Sequence, residues 1–179
     1  MSSNEHLRKS KGNNDECYTK DYGVRPLLEF LPPFKDKIIW CPFDTEESQF
    51  VKILTKNGYK VVNSHIWNGQ NYFYYEPEKW DLMISNPPFT NKKDIFERAL
   101  SFKKPFALLC PVIWLNDSAP CKIFKDTRLE LLLFIDRMTF SNQPQTGISF
   151  KSVYFCHNFL PNQIEIRGFD YGQQKLFNW

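Results

Sequence analysis

Apolar positions along this chain fall into two alternating kinds of block. The first kind is short and nearly unbroken: Ile38–Pro42, Tyr59–Val62, Trp80–Ser85, Phe106–Cys110 and Leu129–Ile135. Runs of this length, bounded by turn residues, predict buried strands. The second kind is longer and spaced for one face of a helix. Val24, Leu27, Leu28 and Leu31 predict a helix within 15–34 that Pro32-Pro33 ends. Phe50, Val51 and Leu54 predict another over about 46–57, capped by Asp44 or Thr45 and stopped by Asn57-Gly58. Ile95, Phe96, Ala99 and Leu100 predict a third over 92–102, opened by Asn91. Between them, Asn71 to Tyr74 reads as a short extended piece, 113–126 as helix or turn, and 138–147 as a polar loop. Ser149 to Phe155 alternates like a strand, and Ile164 with Ile166 suits an edge strand. Strands alternating with helices predict an α/β fold: a mostly parallel sheet, helices on both faces and an antiparallel edge strand.

Composition narrows this only a little. The chain has 179 residues, enough for one core, read here as a flexible arm over 1–14 and a single domain over 15–179. The arm, MSSNEHLRKSKGNN, is polar, basic and without period. Net charge is +3, a weak pointer to an anionic partner. Aromatic residues reach 17%, so either the core is Phe-rich or some rings stack on bases. Five widely spaced cysteines give no zinc-type spacing, so no metal is expected. They read as reduced thiols of a cytoplasmic protein, two or three of them buried on strands. No signal peptide or membrane-length apolar run is visible.

The chemistry concentrates where the strand at Leu82-Met83-Ile84 runs into Asn86-Pro87-Pro88-Phe89. Proline cannot continue a ladder, and the residue before it is held extended. The turn therefore presents the Asn86 carboxamide, the Pro87 carbonyl and the Phe89 ring at a strand's C-terminal end, where open α/β sheets bind ligands. Two acceptors there can receive both hydrogens of one exocyclic amine, while the ring stacks on its heterocycle. A rigid strand-ending turn is the plainer alternative.

Asn86-Pro87-Pro88-Phe89, led in by Asp81-Leu82-Met83-Ile84-Ser85, resembles the motif of S-adenosylmethionine-dependent amino-methyltransferases. These act on adenine N6, and less often on cytosine N4 or a glutamine amide. With Asp15-Glu16-Cys17-Tyr18-Thr19 and Trp40-Cys41-Pro42-Phe43-Asp44, the order of segments is similar to that of small phage and prophage proteins of this superfamily, over about residues 15–160. The resemblance implies a Rossmann-like methyltransferase fold, S-adenosylmethionine as cofactor, and a phage- or prophage-encoded protein in a bacterial cytoplasm. It implies Asn86, Pro87, Pro88 and Phe89 as catalytic residues. Cofactor-binding candidates are Tyr18 and Thr19, Cys41, Pro42, Phe43, Asp44 and Ser48, His65, and Asn71 with Tyr72.

This chain departs from the family after the first strand, where Cys41 to Ser48 contains no glycine. The second strand is followed by Asn63-Ser64-His65 rather than an acidic residue, and Asn71 stands where an Asp is usual. For substrate, Phe140 is the candidate second face of a base sandwich, and Arg137, Lys92 and Lys151 are candidate phosphate contacts. No separate target-recognition domain fits the length, so specificity is short or supplied by a partner or a homodimer. The expectation is adenine-N6 methylation of nucleic acid, DNA ahead of RNA, with no membrane partner. The alternative class is a methyltransferase-like fold impaired in cofactor binding, serving as a binding module or phage inhibitor of a host nucleoprotein. A glutamine-amide methyltransferase is a third option.

Overall fold

This computed structural model describes residues 18–141 and 151–169. The expected arm over 1–14, most of the 138–147 loop and the start of the strand at Ser149 lie outside them. Seven strands form one sheet: β1 (Ile38–Cys41), β2 (Lys60–Asn63), β3 (Leu82–Ser85), β4 (Phe106–Pro111), β5 (Glu130–Phe134), β6 (Ser152–His157) and β7 (Ile164–Arg167). Their spatial order is β2-β1-β3-β4-β6-β5-β7. The first four are mutually parallel, and β7 is parallel to β5. β6 runs antiparallel to both neighbours, β4 and β5. The expected antiparallel strand is thus present but lies inside the sheet, and the edge beyond it is the parallel β7.

The helices are α1 (Asp21–Val24), α2 (Gln49–Lys56), α3 (Lys92–Ser101) and α4 (Ser118–Ile123). The helix expected over 15–34 is one α turn followed by 3-10 segments at Arg25–Phe30 and Pro32–Phe34. Prolines early in each later segment explain this, since each lacks the N–H an α-helix needs and crowds the preceding turn. Asn71 to Tyr74 is a turn, not an extended piece. The Asn71 side chain accepts from the Phe73 N–H at 3.0 Å, and its carbonyl accepts from the N–H of Tyr74 and Tyr75.

Strand alternation sends successive side chains to two separate cores. Ile39, Cys41, Leu82 and Ile84 meet Val24, Leu27 and Leu31 of the N-terminal segment and Phe50 and Leu54 of α2. Trp40, Met83, Phe106, Leu108 and Phe155 meet Ile95, Phe96 and Ala99 of α3. Because both faces are covered, β3 and β4 are buried along their whole length, which is why they read as unbroken apolar runs. Much of the aromatic surplus is core: Phe96 lies 4.9 Å from Trp114 and 5.6 Å from Phe155. Cys41, Cys110 and Cys156 are buried free thiols on β1, β4 and β6. No helix of the described residues is long and apolar enough to cross a membrane.

The connections position the site. From β1 the chain passes through α2 to β2 on one side, then returns to β3 on the other side of β1. The direction of winding reverses between β1 and β3, and in such sheets the crevice at that reversal takes the ligand.

Candidate active site

Two loops meet at the reversal, one leaving β1 and one leaving β3. Ser85, the last residue of β3, is fully buried. Its hydroxyl donates to the Asp44 carboxylate, and it accepts from the Phe43 N–H at 3.3 Å. Ser64 fixes the other side of the same loop. It accepts from the Trp40 indole at 3.0 Å and donates to the Pro42 carbonyl at 3.4 Å. Its backbone N–H reaches the Cys41 carbonyl, and its carbonyl accepts from the Asp44 N–H. The loop is therefore shaped by two buried serines, where a glycine turn would be shaped by backbone freedom.

Asp44 is 7% exposed, and burial pushes its carboxyl up to about 6 against the lowering hydrogen bonds from Ser85 and Ser48. Ser48 also caps α2 by accepting from the Val51 N–H at 3.3 Å. A buried carboxylate with a raised pKa is a group that a bound cation would relieve.

At the end of β3, the Asn86 amide Nδ2 donates to Thr19 Oγ1 at 3.1 Å. Thr19 reaches this position through an isolated antiparallel bridge to Phe140, and the Ser141 N–H donates to the Tyr18 carbonyl at 2.9 Å. The Tyr22 hydroxyl lies 2.8 Å from Thr139 Oγ1 and accepts from the Thr139 N–H at 2.8 Å. Lys20 donates to Thr139 Oγ1 at 3.0 Å. Residues 18–22 and 138–141 thus form a clasp over the Asn86 turn. Phe89 touches this clasp, its ring centroid 6.2 Å from that of Phe140 at an interplanar angle of 71°.

Two solved structures share a similar backbone course. One is described as a predicted O-methyltransferase, protein Atu636 of Agrobacterium tumefaciens. It is 10% identical, with a TM-score of 0.41 over 83% of this chain and 85% of that one. The other, from Listeria monocytogenes, is described as a candidate class I S-adenosylmethionine-dependent methyltransferase. It is 13% identical, with a TM-score of 0.49 over 90% of this chain and 68% of that one. No protein-family model matches the chain, and no curated protein matches it by sequence.

The structure brings together part of the expected set. Thr19, Phe43, Asp44, Ser48, Asn86 and Phe89 gather around the reversal through the contacts above. Cys41 and Pro42 are buried; the Cys41 thiol faces the core, where burial raises its pKa well above the usual thiol range. Only their backbone can serve a ligand. Tyr72, a cofactor-binding candidate from the sequence, is a core residue. It is 3% exposed, lies 5.7 Å from Trp40 and 4.7 Å from Phe43, and its hydroxyl donates to the Ile95 carbonyl. The Asn71 oxygen is engaged in its own turn. His65 Nδ1 accepts from the Trp67 N–H, capping a 3-10 turn.

Among substrate candidates, Phe140 is 1% exposed and meets Phe89 edge to face, so the two rings leave no slot for a base between them. Lys92 donates to the Phe89 carbonyl at 2.6 Å, bracing the motif from within α3. Lys151 donates to the Ile135 carbonyl at 3.1 Å, and Arg137 is exposed beside the clasp. Sequence reasoning missed Ser85, Ser64, Tyr22 and Thr139. Ser85 carried one signal: it is the polar member of a strand otherwise buried on both faces. Tyr22 and Thr139 are 117 positions apart, and nothing local announces their contact.

Proposed function

We propose that this chain is an S-adenosylmethionine-dependent methyltransferase acting on the N6 amine of adenine in nucleic acid, with DNA favoured over RNA. The observation that carries the reading is the meeting of two features at the winding reversal. The Asn86-Pro87-Pro88-Phe89 turn ends β3, and the buried Asp44 carboxylate follows β1, joined to β3 through Ser85. The cofactor would supply a methyl group on a cationic sulfur. Asp44 suits its ammonium end, because a cation beside that carboxylate offsets the burial that raises its pKa.

The protein's own part is positional and electrostatic. Asn86 Oδ1 and the Pro87 carbonyl hold the two amine hydrogens, which turns the nitrogen lone pair out of the ring's conjugation. Phe89 supports the base. The extra proton of the methylated amine leaves to water. The base would be turned out of its stack to reach this turn.

One observation favours the second reading, a fold that binds a partner without the cofactor. The N–H groups of Phe43 and Asp44 are consumed internally, by Ser85 and Ser64, and so do not face a ligand. Calorimetric titration with S-adenosylmethionine decides between the two. Saturable binding that weakens in Asp44→Asn supports the enzyme; no heat at millimolar ligand supports the module.

A further inference from the structure

An asparagine at this motif has a problem that an aspartate does not. Its carboxamide has one acceptor end and one donor end. Rotated by half a turn, it would point N–H groups at the amine it should hold, and methyl transfer would lose its anchor. In the structure the carboxamide is held by its nitrogen end. Asn86 Nδ2 donates to Thr19 Oγ1 at 3.1 Å, which aims Oδ1 away from Thr19.

Thr19 is built to keep that hydroxyl in place. It is 7% exposed, its backbone bridges to Phe140, and the neighbouring Tyr18 carbonyl accepts from the Ser141 N–H. Its methyl group packs where a side chain on Gly23 would sit, 2.9 Å from a Cβ built there. We infer that Thr19 is a positioning residue for Asn86, holding the carboxamide by Nδ2 so that Oδ1 is turned toward the target amine. This rests on the amine-holding role proposed for Asn86, and it replaces the cofactor contact that the sequence suggested for Thr19.

The test uses the full chain with S-adenosylmethionine and an adenine-bearing oligonucleotide. Thr19→Val keeps the shape and removes the acceptor; Thr19→Ser keeps the acceptor. Thr19→Val is expected to lower kcat by about tenfold or more, the scale at which a small misplacement costs rate. Cofactor affinity stays within about twofold, and Thr19→Ser restores the rate. In an Asn86→Asp background both oxygens accept and rotation no longer matters, so Thr19→Val costs less there. Loss of cofactor affinity with kcat preserved would overturn the inference, as would an equal cost in both backgrounds.

Nitrogen-15 NMR of the Asn86 carboxamide reads the same point without turnover. Its Nδ2 proton shifts upfield and exchanges faster with water in Thr19→Val but not in Thr19→Ser. Should the wild-type chain transfer no methyl group, the functional reading falls on that result. The carboxamide signal then decides whether Thr19 orients Asn86, and an unchanged signal in Thr19→Val refutes it.

Discussion

Asp44 shows how much one residue's surroundings determine. Its carboxyl is ordinary in chemistry and unusual in place, buried beside the thiol of Cys41 and bonded to two serine hydroxyls. Burial raises the folded-state value from 3.8 to about 6, so between those pH values the folded protein holds a proton that the unfolded chain releases. The fold therefore loses stability as pH rises from about 4 to about 6 and is level above that, as far as this group is concerned. Asp44→Asn removes the effect. Its stability relative to wild type should improve by on the order of 3 kcal/mol between pH 4 and pH 7, measured by urea unfolding at each pH. A difference independent of pH would mean that the carboxylate is not held this way. Under the proposed function, S-adenosylmethionine binding should run in the opposite sense, strengthening as pH rises through about 6 and Asp44 ionises.

At the level of elements, the site depends on joints between segments far apart in sequence. Ser85 joins β3 to the loop after β1, and in Ser85→Ala both the Asp44 carboxylate and the Phe43 N–H lose a buried partner. That should cost about 1–3 kcal/mol in chemical denaturation. It should also raise the Asp44 pKa further, because the bond it removes is a lowering one. The clasp is a second joint. A Cβ at Gly23 would lie 2.9 Å from the end of the Met138 side chain and from the Thr19 methyl. Met138 can move aside, whereas Thr19 is tied to Phe140. Gly23→Ala should therefore lower the proposed methyl transfer more than it lowers the melting temperature, by shifting Thr19 against Asn86. A variant with full activity and a lower melting temperature would show that the clasp is only structural.

Across the whole molecule, two cores pack on opposite faces of one sheet. Phe96 anchors the α3 side among Phe106, Trp114, Phe124 and Phe155. Phe96→Ala should cost about 3–5 kcal/mol in urea unfolding, the range for emptying an aromatic core site. The same architecture explains what could be read in advance. Unbroken apolar runs marked β1, β3 and β4 because both faces of the sheet are covered. The turn after β3 was legible because two prolines fix the backbone without outside help. The proline-rich 3-10 start was misjudged because helical spacing of Val24, Leu27 and Leu31 survives in a tighter coil. Tyr72 was misjudged because an aromatic side chain after a turn looks the same in sequence whether it lines a crevice or fills a core. Long-range bonds such as Ser85 to Asp44 and Asn86 to Thr19 leave no local trace.

The central claim is that the Asn86-Pro87 turn holds an adenine amine for methyl transfer. The most direct measurement gives purified protein S-adenosylmethionine with an isotopically labelled methyl group and an adenine-bearing DNA strand, then digests the DNA for nucleoside mass spectrometry. Labelled N6-methyl-2′-deoxyadenosine is expected with the wild-type chain and none with a folded Asn86→Ala variant. Equal labelling by both proteins, or none by the wild type on DNA or RNA, would contradict it.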